Sequence, residues 1–300
     1  HVLTVLLGDG EVGSAIVDHQ DVAGVAFTGS TEVAKLIQQS LASKEGAIVP
    51  LIAETGGQNA MIVDSSALTE QVVDDVILSA FGSAGQRCSA CRVLFIQDDV
   101  ADKTIDMLKG AMGELILNQP ENLSTDVGSI IDMDAQAMLQ RHKSHLQGFG
   151  KEIFETPHDL NLHKNGIYFA PIAYEIPDLS YLDKEVFGPV LHVVRYKASE
   201  IEALIDQINA LGYGLTFGIH SRIDRFVEKI SKRIRVGNVY VNRGTIGAVV
   251  GTQPFGGRGL SGTGPKAGGS QYLHAFACEK VMSIDTTASG GNASLVMLGD

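Results

Sequence analysis

Ala23-Gly24-Val25-Ala26-Phe27-Thr28-Gly29-Ser30-Thr31 reads as a short apolar strand that stops at a Gly-Ser-Thr turn and passes into a helix over about 31–42. Each turn residue has its own reason to be there: glycine tolerates backbone angles that a Cβ forbids, and Ser or Thr caps the first free N–H groups of a helix. The same alternation recurs outward from this point. Apolar runs at 48–53 and 60–63 precede an amphipathic helix near 69–81, and Val93-Leu94-Phe95-Ile96 precedes a helix near 99–113. Strands at 190–195, 215–220 and 237–241 are separated by helices near 199–210 and 222–233. Strands alternating with helices predict an α/β fold on a parallel sheet. Upstream, 2–7 is β-like and 11–18 reads as a short helix. The polar stretch 118–165, with Pro120, Asn122 and Pro157, reads as surface loops around one helix near 134–147, and a final strand is expected at 280–285.

Composition agrees. The 300 residues are 44% hydrophobic, which suffices for a large core, and 34 glycines with only 6% aromatics suit many tight strand-to-helix turns. A formal net charge of −12 disfavours binding to nucleic acid or to an anionic membrane surface, so a small molecule is the expected partner. No apolar run approaches the roughly 18 residues that span a bilayer. Three cysteines, Cys88, Cys91 and Cys278, are too few for a disulfide scaffold and point to a reducing, cytoplasmic setting. Because the chain opens at His1 directly before an apolar run, it is expected to be part of a longer protein.

Three segments carry chemistry. Gly82-Ser83-Ala84-Gly85-Gln86-Arg87-Cys88-Ser89 sets a cysteine among small residues between a helix and a strand, where a thiolate can attack a carbonyl and nearby N–H groups can hold the resulting oxyanion. Taken alone, such a cysteine is more often a buried structural residue. Cys88-Ser89-Ala90-Cys91 is also a CxxC that suits a dithiol couple, whereas a structural zinc site lacks two further ligands and no metal is expected. Glu54-Thr55-Gly56-Gly57 places an acid after an apolar run; apolar surroundings would raise its pKa to a value suited to activating water, although a solvated strand-end carboxylate is the commoner case. The turn Phe27-Thr28-Gly29-Ser30 opens a helix whose N-terminus can bind phosphate, although Ser and Thr also cap helices with no ligand present.

In this order the motifs resemble the aldehyde dehydrogenase superfamily over nearly the whole chain. Its FTGS turn resembles 27–30, its E-x-GG general-base motif 54–57, and its GQxC nucleophile motif 85–88; Glu185-Val186-Phe187-Gly188-Pro189 resembles E-x-FGP, and Pro254-Phe255-Gly256-Gly257 resembles PFGG. The tail 261–269 narrows the likeness to the L-glutamate γ-semialdehyde dehydrogenase branch, especially the dehydrogenase module of the bifunctional proline utilization A family, with Ser270 in place of an expected proline. The resemblance implies an aldehyde dehydrogenase-like α/β fold: a partial Rossmann-like NAD-binding domain over 1–55, a catalytic domain over 56–262, and a C-terminal oligomerisation tail with its strand over 263–300. It also implies NAD as cofactor, held by Gly29, Ser30, Gly56, Glu185 and Phe187, with Glu185 on the nicotinamide ribose and Phe187 beside the nicotinamide. Cys88 is implied as nucleophile and Glu54 as general base. A substrate carboxylate is implied at Ser89, Gly247 and Ala248, with Phe255 gripping the aliphatic chain. Val249, Val250 and Tyr213 are read as core or scaffold, and Ala34 replaces a family glycine in a helix, where alanine is well suited.

The implied parent carries an upstream FAD-dependent proline dehydrogenase module and forms a homo-oligomer. The family's oxyanion-hole Asn, its adenosine-binding Lys and the first strands of its cofactor domain would precede His1. Three rival readings stay open: an aldehyde dehydrogenase of another substrate class, a piece that is catalytically silent by itself, and a dithiol oxidoreductase using Cys88 and Cys91.

Overall fold

The structure, a computed structural model, describes residues 2–164, 166–285 and 297. Its N-terminal part builds two helix-strand units, α1 (Gly10–Asp18) followed by β1 (Val25–Thr28) and α2 (Thr31–Ser43) followed by β2 (Leu51–Glu54). The strands pair in parallel with Thr28 beside Glu54, so the turn at Gly29 and the acid emerge from the same sheet edge. Ser30 caps α2 by accepting from the Val33 N–H at 3.2 Å.

The larger body is a seven-stranded sheet of β3 (Ala60–Val63), β4 (Val93–Gln97), β5 (Lys151–Glu155), β6 (Ile172–Glu175), β7 (Val190–Tyr196), β8 (Thr216–His220) and β9 (Asn238–Val241). Their spatial order is β5-β6-β7-β4-β3-β8-β9, parallel throughout except for the antiparallel edge strand β5. The helices are α3 (Thr69–Phe81), α4 (Asp98–Gly113), α5 (Met133–Leu146), α6 (Ile201–Ala210), α7 (Asp224–Arg233) and the short α8 (Gln271–His274). β3 and β4 are buried along their whole length, which explains why they read as unbroken apolar runs rather than alternating ones.

Three expectations are corrected. Residues 2–7 form no strand: Val2, Leu3, Val5, Leu6 and Leu7 are exposed, and no described strand runs beside them to complete a hydrogen-bonded ladder. Residues 280–285 likewise form no strand, with Val281, Met282 and Ile284 exposed, for the same physical reason. Within 118–165 the structure adds β5, whose half-exposed residues pair only with β6 at the sheet edge; the charged, partly wet Lys151–Glu155 looks like a loop in sequence because it carries no apolar alternation. The expected α3 over 69–81 matches to the residue.

Candidate active site

The thiol arrives on a strained reversal of the chain. After α3 the backbone turns through Ser83, Ala84 and Gly85 with φ of 56, 54 and 63°, the left-handed region that costs residues with a Cβ. Gly85 has no alternative, since a Cβ there would stand 2.2 Å from the Gly188 carbonyl oxygen. From this turn Cys88 is carried toward β4 by bonds to its backbone. Asn59 donates through Nδ2 to the carbonyls of Cys88 (2.6 Å) and Ala90 (2.9 Å) while its Oδ1 accepts from the Thr216 N–H at 3.1 Å. Thr245 Oγ1 donates to the Ser89 carbonyl at 2.8 Å. Burial pushes the Cys88 thiol pKa up, helped by the negative charges of Glu185 and Glu54 and opposed by the N–H groups of Ser89 and Cys88. Cys91, by contrast, lies wholly in the core, donates toward the Val93 carbonyl at 3.6 Å, and has its pKa pushed up to about 12 by burial. A thiol held that way is a poor partner for disulfide exchange, which weighs against the dithiol reading.

Glu54 ends β2 and points into the loop around Pro254-Phe255-Gly256-Gly257. Its Oε2 accepts from the Gly257 N–H at 3.0 Å, while its buried Oε1 has no partner. Gly256 makes room for it, because a Cβ there would lie 2.6 Å from that free oxygen. Desolvation by burial raises the Glu54 pKa to about 7, against the Gly257 bond and the positive charge of Lys266. Lys266 itself donates to the Gly237 carbonyl and to Asn238 Oδ1.

A cleft of about 840 Å³ brings the two groups together. All eleven residues singled out from sequence line it: Cys88, Glu54, Gly29, Ser30, Gly56, Glu185, Phe187, Ser89, Gly247, Ala248 and Phe255. On one wall the N-terminus of α2 opens through Ser30, Thr31 and Glu32. Facing it, Glu185 packs so closely on Gly56 that a Cβ at 56 would reach within 1.7 Å of Glu185 Oε2. Tyr213, read from sequence as scaffold, also lines the cleft, whereas Val249 and Val250, read the same way, are exposed on the loop after Ala248. The loop has Gly247 at φ +83°, which glycine adopts without strain.

Sequence reading missed Asn59, Arg92, Thr245 and Lys266, which touch the site's backbone or charges without facing the cleft. The available signal for Arg92 was a cation at the head of an apolar strand, since a charge buried there needs partners close by. Arg92 is in fact 1% exposed and pairs with Glu185 at 3.1 Å.

Comparison with known proteins extends this geometry. A family model described as "Aldehyde dehydrogenase family" matches residues 1–282. The chain is 54% identical over 287 residues to the bifunctional protein PutA of Escherichia coli K12, spanning 93% of this chain and 22% of that protein. A crystal structure of bifunctional proline utilization A superposes with a TM-score of 0.89 at 54% identity, over 94% of this chain and 28% of the other. A 1-pyrroline-5-carboxylate dehydrogenase from Thermus, solved with bound NAD, superposes with a TM-score of 0.81 at 30% identity, over 90% of this chain and 52% of the other. The chain therefore spans between about a fifth and a half of the length of these relatives.

Proposed function

The chain belongs to the aldehyde dehydrogenase family, and from that premise we propose that it is the catalytic portion of an NAD-dependent L-glutamate γ-semialdehyde dehydrogenase. The observation carrying this reading is the single cleft that joins a half-buried thiol, an acid with a pKa near 7 and a loop of backbone amides. The Cys88 thiol, kept protonated at rest by burial, gives up its proton to solvent as its sulfur adds to the aldehyde carbon, and the N–H of Cys88 helps to hold the developing oxyanion. Hydride loss turns that tetrahedral adduct into a thioester on Cys88. Glu54, ionised in a dry setting, then takes a proton from water; the hydroxide equivalent attacks the thioester carbon, releasing the carboxylic acid and the free thiol. The free Oε1 of Glu54 supplies the acceptor that step needs.

NAD supplies the hydride acceptor when bound. The residues present suit it: the N-terminus of the 13-residue α2 faces the cleft beside Gly29, as a pyrophosphate requires, and Glu185 presents a carboxylate for ribose hydroxyls beside the partly exposed ring of Phe187. The Thermus relative binds NAD, which supports the choice of cofactor. For the substrate, the Ser89 hydroxyl and the N–H groups of Gly247 and Ala248 form the proposed cradle of a carboxylate, with Phe255 against the aliphatic chain. The names of the relatives support a place in proline catabolism within a longer, bifunctional chain. A proline dehydrogenase module upstream, a homo-oligomer and a cytoplasmic setting, where free cysteines stay reduced, complete the proposal.

Substrate choice is tested at Ser89. Losing a hydrogen bond to a charged group costs roughly 1.5–3 kcal/mol, so in the full-length protein Ser89→Ala should lower kcat/KM for glutamate γ-semialdehyde by about one to two powers of ten. Propionaldehyde, which has no carboxylate, should be turned over almost unchanged. Equal losses for both aldehydes would remove the carboxylate cradle and leave the thioester chemistry standing.

A further inference from the structure

We propose that Arg92 is a positioning residue that fixes the nucleophile against the nicotinamide side of the cleft, an inference that rests on the reading of Cys88 and Glu185 given above. Its guanidinium is buried and faces four acceptors from two segments far apart in sequence. Nη1 donates to the carbonyls of Gly85 (2.5 Å) and Gly188 (3.2 Å), and Nη2 donates to the carbonyl of Arg87 (3.1 Å) and to Glu185 Oε1 (3.1 Å). The guanidinium carbon also lies 5.0 Å from the centre of the Phe187 ring, within cation–π reach.

The four hydrogen bonds divide evenly between the two halves of the proposed reaction, and the Phe187 contact adds to the second. Gly85 and Arg87 belong to the turn that delivers Cys88; Glu185, Phe187 and Gly188 belong to the segment proposed to hold the ribose and nicotinamide. The two segments meet backbone to backbone at Gly85 and Gly188, and their carbonyl oxygens share the one Nη1 that neutralises their mutual repulsion. Arg92 is itself anchored: its N–H donates to the Asn59 carbonyl at 2.8 Å, and its own carbonyl accepts from the His192 N–H at 3.0 Å and lies 2.9 Å from His192 Nδ1. A planar fork of five donors can span carbonyls and a carboxylate at once, whereas a lysine ammonium supplies one compact charge. Arg92 touches neither the thiol nor the proposed ligands, so it acts through the spacing it imposes.

The test compares two reactions of one nucleophile in the full-length protein. Oxidation of an aldehyde needs Cys88 in register with the nicotinamide, while hydrolysis of p-nitrophenyl acetate without NAD needs only Cys88 and Glu54. Removing the side chain with Arg92→Ala would leave a hole and an unpaired Glu185, so Arg92→Lys is the variant of choice because it keeps the charge. A misplacement of about 1 Å costs on the order of 10²-fold in rate, so the dehydrogenase kcat should fall about 30- to 100-fold while NAD-free esterase kcat stays within about threefold of wild type. The kinetic isotope effect on kcat with a 1-deuterated aldehyde should rise, since hydride transfer becomes the slow step. Equal loss in both reactions, loss in neither, or an unchanged isotope effect overturns the proposal. Cys88→Ala separates this outcome from a failure of the functional reading, because it should abolish both reactions whatever Arg92 does.

Discussion

The two sheets meet the cleft with opposite ends. The small sheet presents the carboxyl ends of β1 and β2, so Glu54 and the N-terminus of α2 face inward. The large sheet presents its amino ends: residues 56–59 enter β3, 85–92 enter β4, 185–189 enter β7 and 213–215 enter β8. Carboxyl ends of parallel strands come with helix N-termini, which favour anions without further help. The amino ends come with helix C-termini, and the one before Cys88 belongs to α3, whose partial negative charge does nothing for a thiolate. The large-sheet side is accordingly braced by Asn59, Arg92 and Thr245, all bonding to backbone carbonyls, while Glu54 on the small-sheet side keeps one oxygen bare. One wall works through position and the other through desolvation.

The largest expected effect breaks the braced side. Cys88→Ala should reduce aldehyde oxidation on the order of 10⁴-fold or more in steady-state assays, as loss of a covalent nucleophile does. Surviving turnover would mean that the bracing serves no thiol chemistry.

Next in size is Glu54→Gln, which should slow steady turnover on the order of 10²- to 10⁴-fold yet leave a rapid burst of about one NADH per site, because only thioester hydrolysis needs the base. With a pKa near 7 the base is lost by protonation as pH falls, so wild-type turnover should decline on the acid side of about pH 7. An acid limb near the ordinary carboxylate value in a pH-rate profile would show that Glu54 is wet and the contrast between the walls false.

The smallest effects differ in sign, which sharpens the comparison. Asn59→Ala strips partners from three buried backbone groups and should destabilise the fold by about 2–3 kcal/mol in denaturant titrations. Glu54→Gln should stabilise it. The folded pKa of Glu54 lies above its unfolded value near 4.5, so its contribution favours folding below pH 4.5 and is lost as pH rises through about 7. At pH 8 the uncharged variant should gain up to about 3 kcal/mol over wild type, a gain that vanishes toward pH 4.5. A gain independent of pH would trace to packing instead of charge.

Much of this was legible because the residues announce themselves locally. The helix over 69–81 follows from its periodicity and β3 and β4 from their unbroken apolar runs, and Gly85, Gly56 and Gly256 are glycines because a Cβ would strike Gly188, Glu185 or Glu54. What escaped depends on partners distant in the chain. Tyr213 reads as scaffold until β8 is laid beside β3, and 2–7 and 280–285 read as strands although no neighbouring strand completes them. β5 was lost among loops because a wet edge strand shows no apolar period.

By itself the sequence determined the α/β alternation and the turn at Gly29 and singled out the candidate thiol and acid, since each rests on short-range sterics or on side-chain chemistry. Only the tertiary structure decided that Glu54 is dry enough for a pKa near 7, that Cys91 is core while Cys88 faces the cleft, and that Arg92 joins Gly85, Arg87, Glu185 and Gly188. Desolvation and multi-partner hydrogen bonding are properties of the space around a group, and that space is assembled from segments up to two hundred residues apart, as Glu54 and Gly257 are.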